Sequence, residues 1–162
     1  MYKRQIYDRA EMIMTATSYL VYRLTGKNVM DYYTACAGYT PLFSYKNMCW
    51  DEEILKEFGC SGKMPRLMWS AKAAGNITWA AAEEFGLSEN TIVNAGTCDA
   101  AAEAVSVGVI KPGKTMVMLG STAFMIKVLE KPASDIRMWS APYLFPGTYS
   151  LLGCLLYTSR CV

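Results

Sequence analysis

The stretch from Thr91 to Val107 constrains the fold most. An apolar, β-branched run, Thr91 to Ala95, enters the small-residue turn Gly96-Thr97-Cys98 and continues as an Ala-rich segment, Asp99 to Val107. That order reads as a buried strand, a turn and a helix, the unit from which α/β proteins are built. Lys111-Pro112-Gly113-Lys114 follows as a turn and as the internal boundary of the chain. Beyond it, Thr115 to Leu119 and Ala123 to Leu129 are β-prone runs joined across Gly120-Ser121-Thr122, the pattern of a hairpin.

Upstream, Ile6, Ala10, Ile13, Met14, Thr17, Leu20, Val21 and Leu24 recur at three- and four-residue spacing, which predicts one helix from Ile6 to Leu24 stopped by Gly26. Residues 27–49 are rich in Tyr, Thr, Ala and Gly and are cut by Pro41, so an irregular segment with short strands is expected there. Trp50-Asp51-Glu52-Glu53 opens a short helix through Phe58, its acidic side chains favoured by the helix dipole. Thr78 to Phe85 forms another, closed by Gly86.

The sequence holds no His. Ser-His-Asp and Cys-His pairs and imidazole-ligated zinc are therefore excluded, and any general base must be Asp, Glu, Lys, Tyr or Cys. A net charge of +2 without clustered Lys and Arg gives no case for nucleic acid. The longest strongly apolar stretch, Met116 to Leu129, is interrupted by Gly120, Ser121, Thr122 and Lys127 and is shorter than the roughly 18 residues of a membrane span. With no signal-peptide pattern at the start, a soluble cytoplasmic protein is expected. The six cysteines contain no C-x-x-C, and reduced, mostly buried thiols are expected of a chain that is 52% apolar.

Two places offer chemistry. Asp99 stands where a strand passes through a turn into a helix, and its spacing fits an N-cap as well as a base projecting from the end of a sheet. Gly120-Ser121-Thr122 combines close backbone approach with two hydroxyls and successive N–H groups suited to phosphate oxygens, although tight hairpins use the same residues for conformational reasons. Trp50, Trp69, Trp79 and Trp139 read as core or edge-packing residues, Cys98 as a small filler, and Glu83-Glu84 as a solvated helix face.

In sequence, Asn94-Ala-Gly-Thr-Cys-Asp99-Ala-Ala-Ala-Glu, Gly108, Lys-Pro-Gly-Lys and Met118-Leu-Gly120-Ser-Thr122 resemble the junction between the two domains of the FGGY carbohydrate kinases. Ser18-Tyr-Leu-Val-Tyr-Arg-Leu-Thr-Gly26 is similar to a helix of that family, with Ser18 where an acidic residue is usual. Asp31 through Phe43 and Trp50-Asp51-Glu52 resemble its aspartate, small-residue and Trp-Asp segments, and Ala37-Gly38 is closer to xylulokinase-like members than to glycerol kinases. Nearly all of residues 6–153 takes part, in order.

The resemblance implies an α/β chain that is a fragment of the two-domain actin-like (ribonuclease H-like) sugar kinase fold, with catalysis in the cleft between domains. Residues 6–110 would belong to the first domain and 111–153 to the start of the second. Asp99 would be the catalytic base that also contacts the sugar, while Gly120, Ser121 and Thr122 would hold ATP phosphates, with Mg2+ arriving with ATP. Phosphoryl transfer asks the protein mainly to orient and to neutralise charge, so a carboxylate suffices as base. The implied partner is a small-molecule sugar or polyol, with neither nucleic acid nor membrane, and a homodimer is compatible with the full-length family.

The family's Asp-x-Gly-Thr segment and adenine-binding region have no counterpart in these residues, so an internal fragment, inactive and poorly soluble alone, is expected. Cys154 to Val162 resembles a translated sequencing adapter followed by its reverse complement, and Met1-Tyr-Lys-Arg-Gln5 looks like the same adapter on the opposite strand. Residues 1–5 and 154–162 are accordingly expected to be foreign. The rival readings are kinase action on glycerol, ribulose or another polyol, and a non-catalytic nucleotide-binding protein of actin-like fold.

Overall fold

Most of the described helices follow a residue whose side chain caps them. The computed structural model describes residues 2–120 and 122–155. In order they form α1 (Tyr2–Arg9), α2 (Ala16–Thr25), β1 (Val29–Asp31), α3 (Tyr32–Tyr39), β2 (Phe43–Ser44), β3 (Cys49–Trp50), α4 (Glu52–Glu57) and β4 (Arg66–Met68). Then come β5 (Ala73–Asn76), α5 (Trp79–Phe85), β6 (Ile92–Asn94), α6 (Asp99–Ser106), β7 (Thr115–Leu119), β8 (Ala123–Leu129), β9 (Trp139–Pro142) and β10 (Tyr149–Leu155).

Thr15, Asp31, Asp51 and Thr78 each accept a backbone N–H from the first turn of α2, α3, α4 and α5. Gly26 and Gly86 close α2 and α5 at φ 71° and 65°, the left-handed conformation that glycine adopts without steric cost. Periodicity predicts a continuous helix from Ile6 to Leu24, but the chain leaves helix after Arg9 and restarts at Ala16. Two local causes separate the halves: Ile13 N–H donates to Lys63 O at 2.8 Å, and Thr15 Oγ1 captures Ser18 N–H at 3.1 Å. The segment read as irregular contains α3, because Asp31 caps it and Tyr33, Ala35 and Cys36 are buried along it.

Strands β7, β8, β10 and β9 form an antiparallel sheet in that order, while β1–β4 is a parallel pair and β2–β3 and β5–β6 are antiparallel pairs. The hairpin expected across 115–129 has Met116 opposite Ile126 and Leu119 opposite Ala123. Alternation buries Met116, Ile126, Val128, Ser150 and Leu152 and turns Val117 and Lys127 outward. Strand β6 is less buried than its apolar run suggests: Ile92 is 68% exposed, because a two-stranded ribbon covers one side only.

The largest core cluster joins Met30, Tyr33, Ala35 and Phe43 to Ala101, Ala104, Met116, Ile126, Tyr143 and Leu152, so both sides of the 111–114 turn share it. Burial of each large apolar side chain contributes about 1.5–3 kcal/mol. The chain therefore has a core without disulfides, and the thiols described are free. Cys36 and Cys60 are buried, but Cys98 and Cys154 are half-buried and Cys49 is exposed, which corrects the expectation of mostly buried thiols. On β3 the side chains alternate, so Trp50 packs inward and Cys49 faces out.

Trp50 donates Nε1–H to Pro65 O at 2.7 Å, and Trp69 packs on Tyr32 with ring centroids 4.9 Å apart. Trp79 and Trp139 depart from the packing role expected of them, at 61% and 65% exposed. One begins α5 ahead of its buried Ala81 and Ala82, and the other begins β9, which pairs only with β10.

Candidate active site

Asp99 is the first residue of α6 and its side chain is exposed. Cys98, not Asp99, occupies the N-cap position, and no side-chain capping bond is made there. The capping alternative for Asp99 is thereby corrected: its Oδ1 accepts the adjacent Ala100 N–H at 2.8 Å, and the residue is exposed. Two other groups near it are poor bases. Burial, followed by the nearby acidic groups Cys98, Tyr143, Asp31 and Asp99, holds the Tyr33 phenol well above its ordinary value. Burial also pushes the Cys98 thiol up, in keeping with a filler.

The turn that presents Asp99 is held from three sides. Gly96 takes φ 71°, and its N–H donates to Ser70 O at 3.1 Å. Thr97 offers two groups: its carbonyl accepts from Thr17 Oγ1 of α2 at 3.2 Å, and its hydroxyl donates to Asp31 Oδ2 at 2.9 Å. Ser70 Oγ donates to the same Oδ2 at 2.8 Å, and Asp31 Oδ1 accepts Thr34 N–H at 3.3 Å. Asp31 is 2% exposed. In the sequence it stands within a family-like segment; an Asp before Tyr-Tyr-Thr is a capping signal, but nothing local announces Ser70 and Thr97 as partners.

Gly96 should not tolerate a side chain. A Cβ there would lie 2.9 Å from Thr17 Cγ2, and the backbone is left-handed. Gly96→Ala is expected to cost about 1–3 kcal/mol from strain and overpacking together. Thr17→Ser, which deletes the clashing methyl and keeps the hydroxyl, should return part of that loss. Urea denaturation of the three variants checks this; an unaltered midpoint for Gly96→Ala would refute the reading.

Burial is the main influence on Asp31, raising its carboxyl above the ordinary 3.8 against the lowering effect of its hydrogen bonds. A carboxyl with a raised folded value contributes stability that is complete below the unfolded value and is lost as pH climbs through the folded one. Relative to the parent, Asp31→Asn should therefore gain stability as pH rises from about 4 toward neutrality. Denaturation at both ends of that window measures it, and a pH-independent difference contradicts it.

At the tip of the second candidate, Gly120 N–H donates to Thr122 O at 3.0 Å, closing the β7–β8 turn. Gly120 is exposed and Thr122 half-buried, while Ser121 lies outside the described residues. Among the described residues a Cβ on Gly120 would meet only Thr122 O, at 4.0 Å, so the glycine leaves room for close approach while its N–H stays engaged in the turn. Helix α6 and this hairpin meet through the shared core, where Ala101 and Ala104 join Met116 and Ile126 and where Cys98, Met118 and Phe124 pack against them. Among the described residues no His, Cys, Asp and Glu cluster could hold a metal ion, and no helix is long and apolar enough to cross a membrane.

A strand–turn–helix bearing an exposed carboxylate is tied by one core to a glycine-tipped hairpin. Residues 2–106 match the N-terminal domain of the FGGY family of carbohydrate kinases, and the chain belongs to that family. It is similar to a xylulose kinase of Staphylococcus epidermidis, at 30% identity over 154 residues, 94% of this chain and 31% of the relative. A glycerol kinase of Thermococcus gammatolerans is 36% identical over 74 residues, 44% of this chain and 15% of that protein. Among solved structures, a xyloylose kinase from Brucella ovis superposes with a TM-score of 0.86 at 27% identity, covering 95% of this chain and 32% of its own. The fold is that of the actin-like sugar kinases, and the chain spans about a third of the length of the Staphylococcus and Brucella relatives.

Proposed function

We propose that these residues supply the base and part of the phosphate-binding surface of an ATP-dependent kinase that phosphorylates a sugar hydroxyl, with a pentulose such as xylulose as acceptor. The observation that carries the reading is the exposed Asp99 carboxylate at the start of α6, on a turn clamped from α2, β1 and the loop after β4. Asp99 orients the acceptor hydroxyl and takes its proton as the O–P bond forms. A loose transition state releases that proton late, so orientation matters more than base strength.

Gly120 and Thr122 fit the phosphate side of the reaction, since the glycine leaves its backbone open to close approach. Ser121 is the hydroxyl assigned to the same task. ATP would supply the transferred phosphoryl group and leave as ADP, and Mg2+ bound to it would neutralise charge on its phosphates. Residues 6–110 are assigned to the first family domain and 111–153 to the start of the second, which is consistent with the family match ending at 106.

The glycerol kinase match favours a polyol as the second reading of the acceptor. A nucleotide-binding protein without catalysis would not need a base at this turn. The test is ATP-dependent phosphorylation of xylulose, ribulose and glycerol by a reading frame of the relatives' length that contains these residues, beside the 162-residue chain. Transfer to xylulose by the longer frame and none by the short chain is expected. A longer frame that binds ATP and phosphorylates none of the three refutes the proposal.

A further inference from the structure

Asp31 is a buried carboxylate that the proposed chemistry leaves without a task. It is 2% exposed, on the last residue of β1, far from any phosphate-facing element in the chain order. Capping α3 engages only Oδ1. The other oxygen, Oδ2, gathers two hydroxyls from distant parts of the sequence, Ser70 at 2.8 Å and Thr97 at 2.9 Å. A buried charge or acid of this kind is costly unless every lone pair is used, and a half-satisfied network is worse than an apolar one. A cap alone would be served by a residue at the surface.

The link to Thr97 gives the burial a purpose. Thr97 lies two residues before Asp99, and its carbonyl is fixed independently by Thr17. With its hydroxyl on Asp31 and its carbonyl on Thr17, the peptide that follows has little freedom to rotate. The N-cap residue Cys98, which has no capping bond of its own, inherits its position from this clamp. Ser70 strengthens the arrangement twice, through its hydroxyl on Asp31 and its carbonyl on Gly96 N–H.

We propose that Asp31 is a positioning residue for Asp99, acting through the Thr97 hydroxyl to fix the turn that aims the base at the acceptor. The inference rests on Asp99 being that base. Misplacing a reacting group by about 1 Å can cost on the order of 100-fold in rate, so a clamp of this kind acts on turnover and not on substrate affinity.

Two substitutions isolate the hydroxyl: Thr97→Val keeps the shape and removes it, and Thr97→Ser keeps it. In the 162-residue chain, hydrogen exchange at the Gly96 and Ala102 amides, which bond to Ser70 O and Cys98 O, should quicken about tenfold in Thr97→Val while the β7–β8 hairpin is unchanged. Thr97→Ser should exchange like the parent. In a reading frame of the relatives' length, Thr97→Val should lower kcat about tenfold with KM for ATP and sugar unaltered, and Thr97→Ser should restore it. Parental exchange in Thr97→Val, or equal kcat losses in Val and Ser, overturns the inference. So does faster exchange with full turnover, which would leave the assignment of Asp99 standing. Full turnover by Asp99→Asn in the same frame removes the base itself, and the inference with it.

Discussion

Asp99→Asn, made in a reading frame of the relatives' length, should lower kcat for sugar phosphorylation by about 10²- to 10⁴-fold, the usual worth of a positioned general base. The amide has the shape of the carboxylate but cannot accept the hydroxyl proton. Because Asp99 stands at the head of α6 and Gly120 and Thr122 at the tip of the β7–β8 turn, nucleotide binding should survive the change. Titration with an ATP analogue therefore accompanies the rate measurement. Loss of both binding and turnover would point to a disturbed fold, and retention of both would dismiss Asp99 as base. The neighbours that could replace it are held protonated: Tyr33 and Cys98 both lie above their ordinary values through burial.

Tyr143→Ala should be the most destabilising single change in the core, at about 3–5 kcal/mol for a large aromatic removed to a cavity. Tyr143 is 0% exposed, meets Tyr33 edge-on with centroids 6.1 Å apart, and donates its hydroxyl to Val109 O at 2.6 Å. Tyr143→Phe separates the two contributions. It keeps the ring and strands a buried carbonyl, for a loss of about 1–3 kcal/mol. Because this one side chain touches α3, the segment after α6 and the last sheet, both variants should shift the whole unfolding transition along denaturant without changing its slope. A Tyr143→Ala chain within about 1 kcal/mol of the parent would mean that the cluster does not hold the two stretches together.

What could be read in advance was local. Helix α5 lies between Thr78, whose hydroxyl accepts Ala81 N–H at 3.4 Å, and Gly86 at φ 65°, signals carried by the residues themselves. The β7–β8 hairpin follows from two alternating runs around a glycine turn. The break between α1 and α2 was hidden because Ile6 and Ile13 keep helical spacing, although Ile6 is 73% exposed and Ile13 bonds to Lys63. Helix α3 was hidden because Tyr and Thr are strand-prone, and burial against the sheet overrides that preference. Asp99 and the hairpin tip stood out through the order of their motifs. Asp31 did not, since its two hydroxyl partners are 39 and 66 residues away and no pattern in the sequence joins them.

Those separations carry a consequence for how the chain acquires its shape. The turn before Asp99 is tied to Thr17 across 80 residues and to Asp31 across 66, whereas α5 and the hairpin close within a few residues. Contacts of long range form only after the intervening chain has been drawn together, so they come late. The bearing of the Asp99 carboxylate is therefore fixed among the last events of folding, and a chain that has collapsed and built its helices still lacks that fixed carboxylate until α2, β1 and the loop after β4 have converged on Thr97.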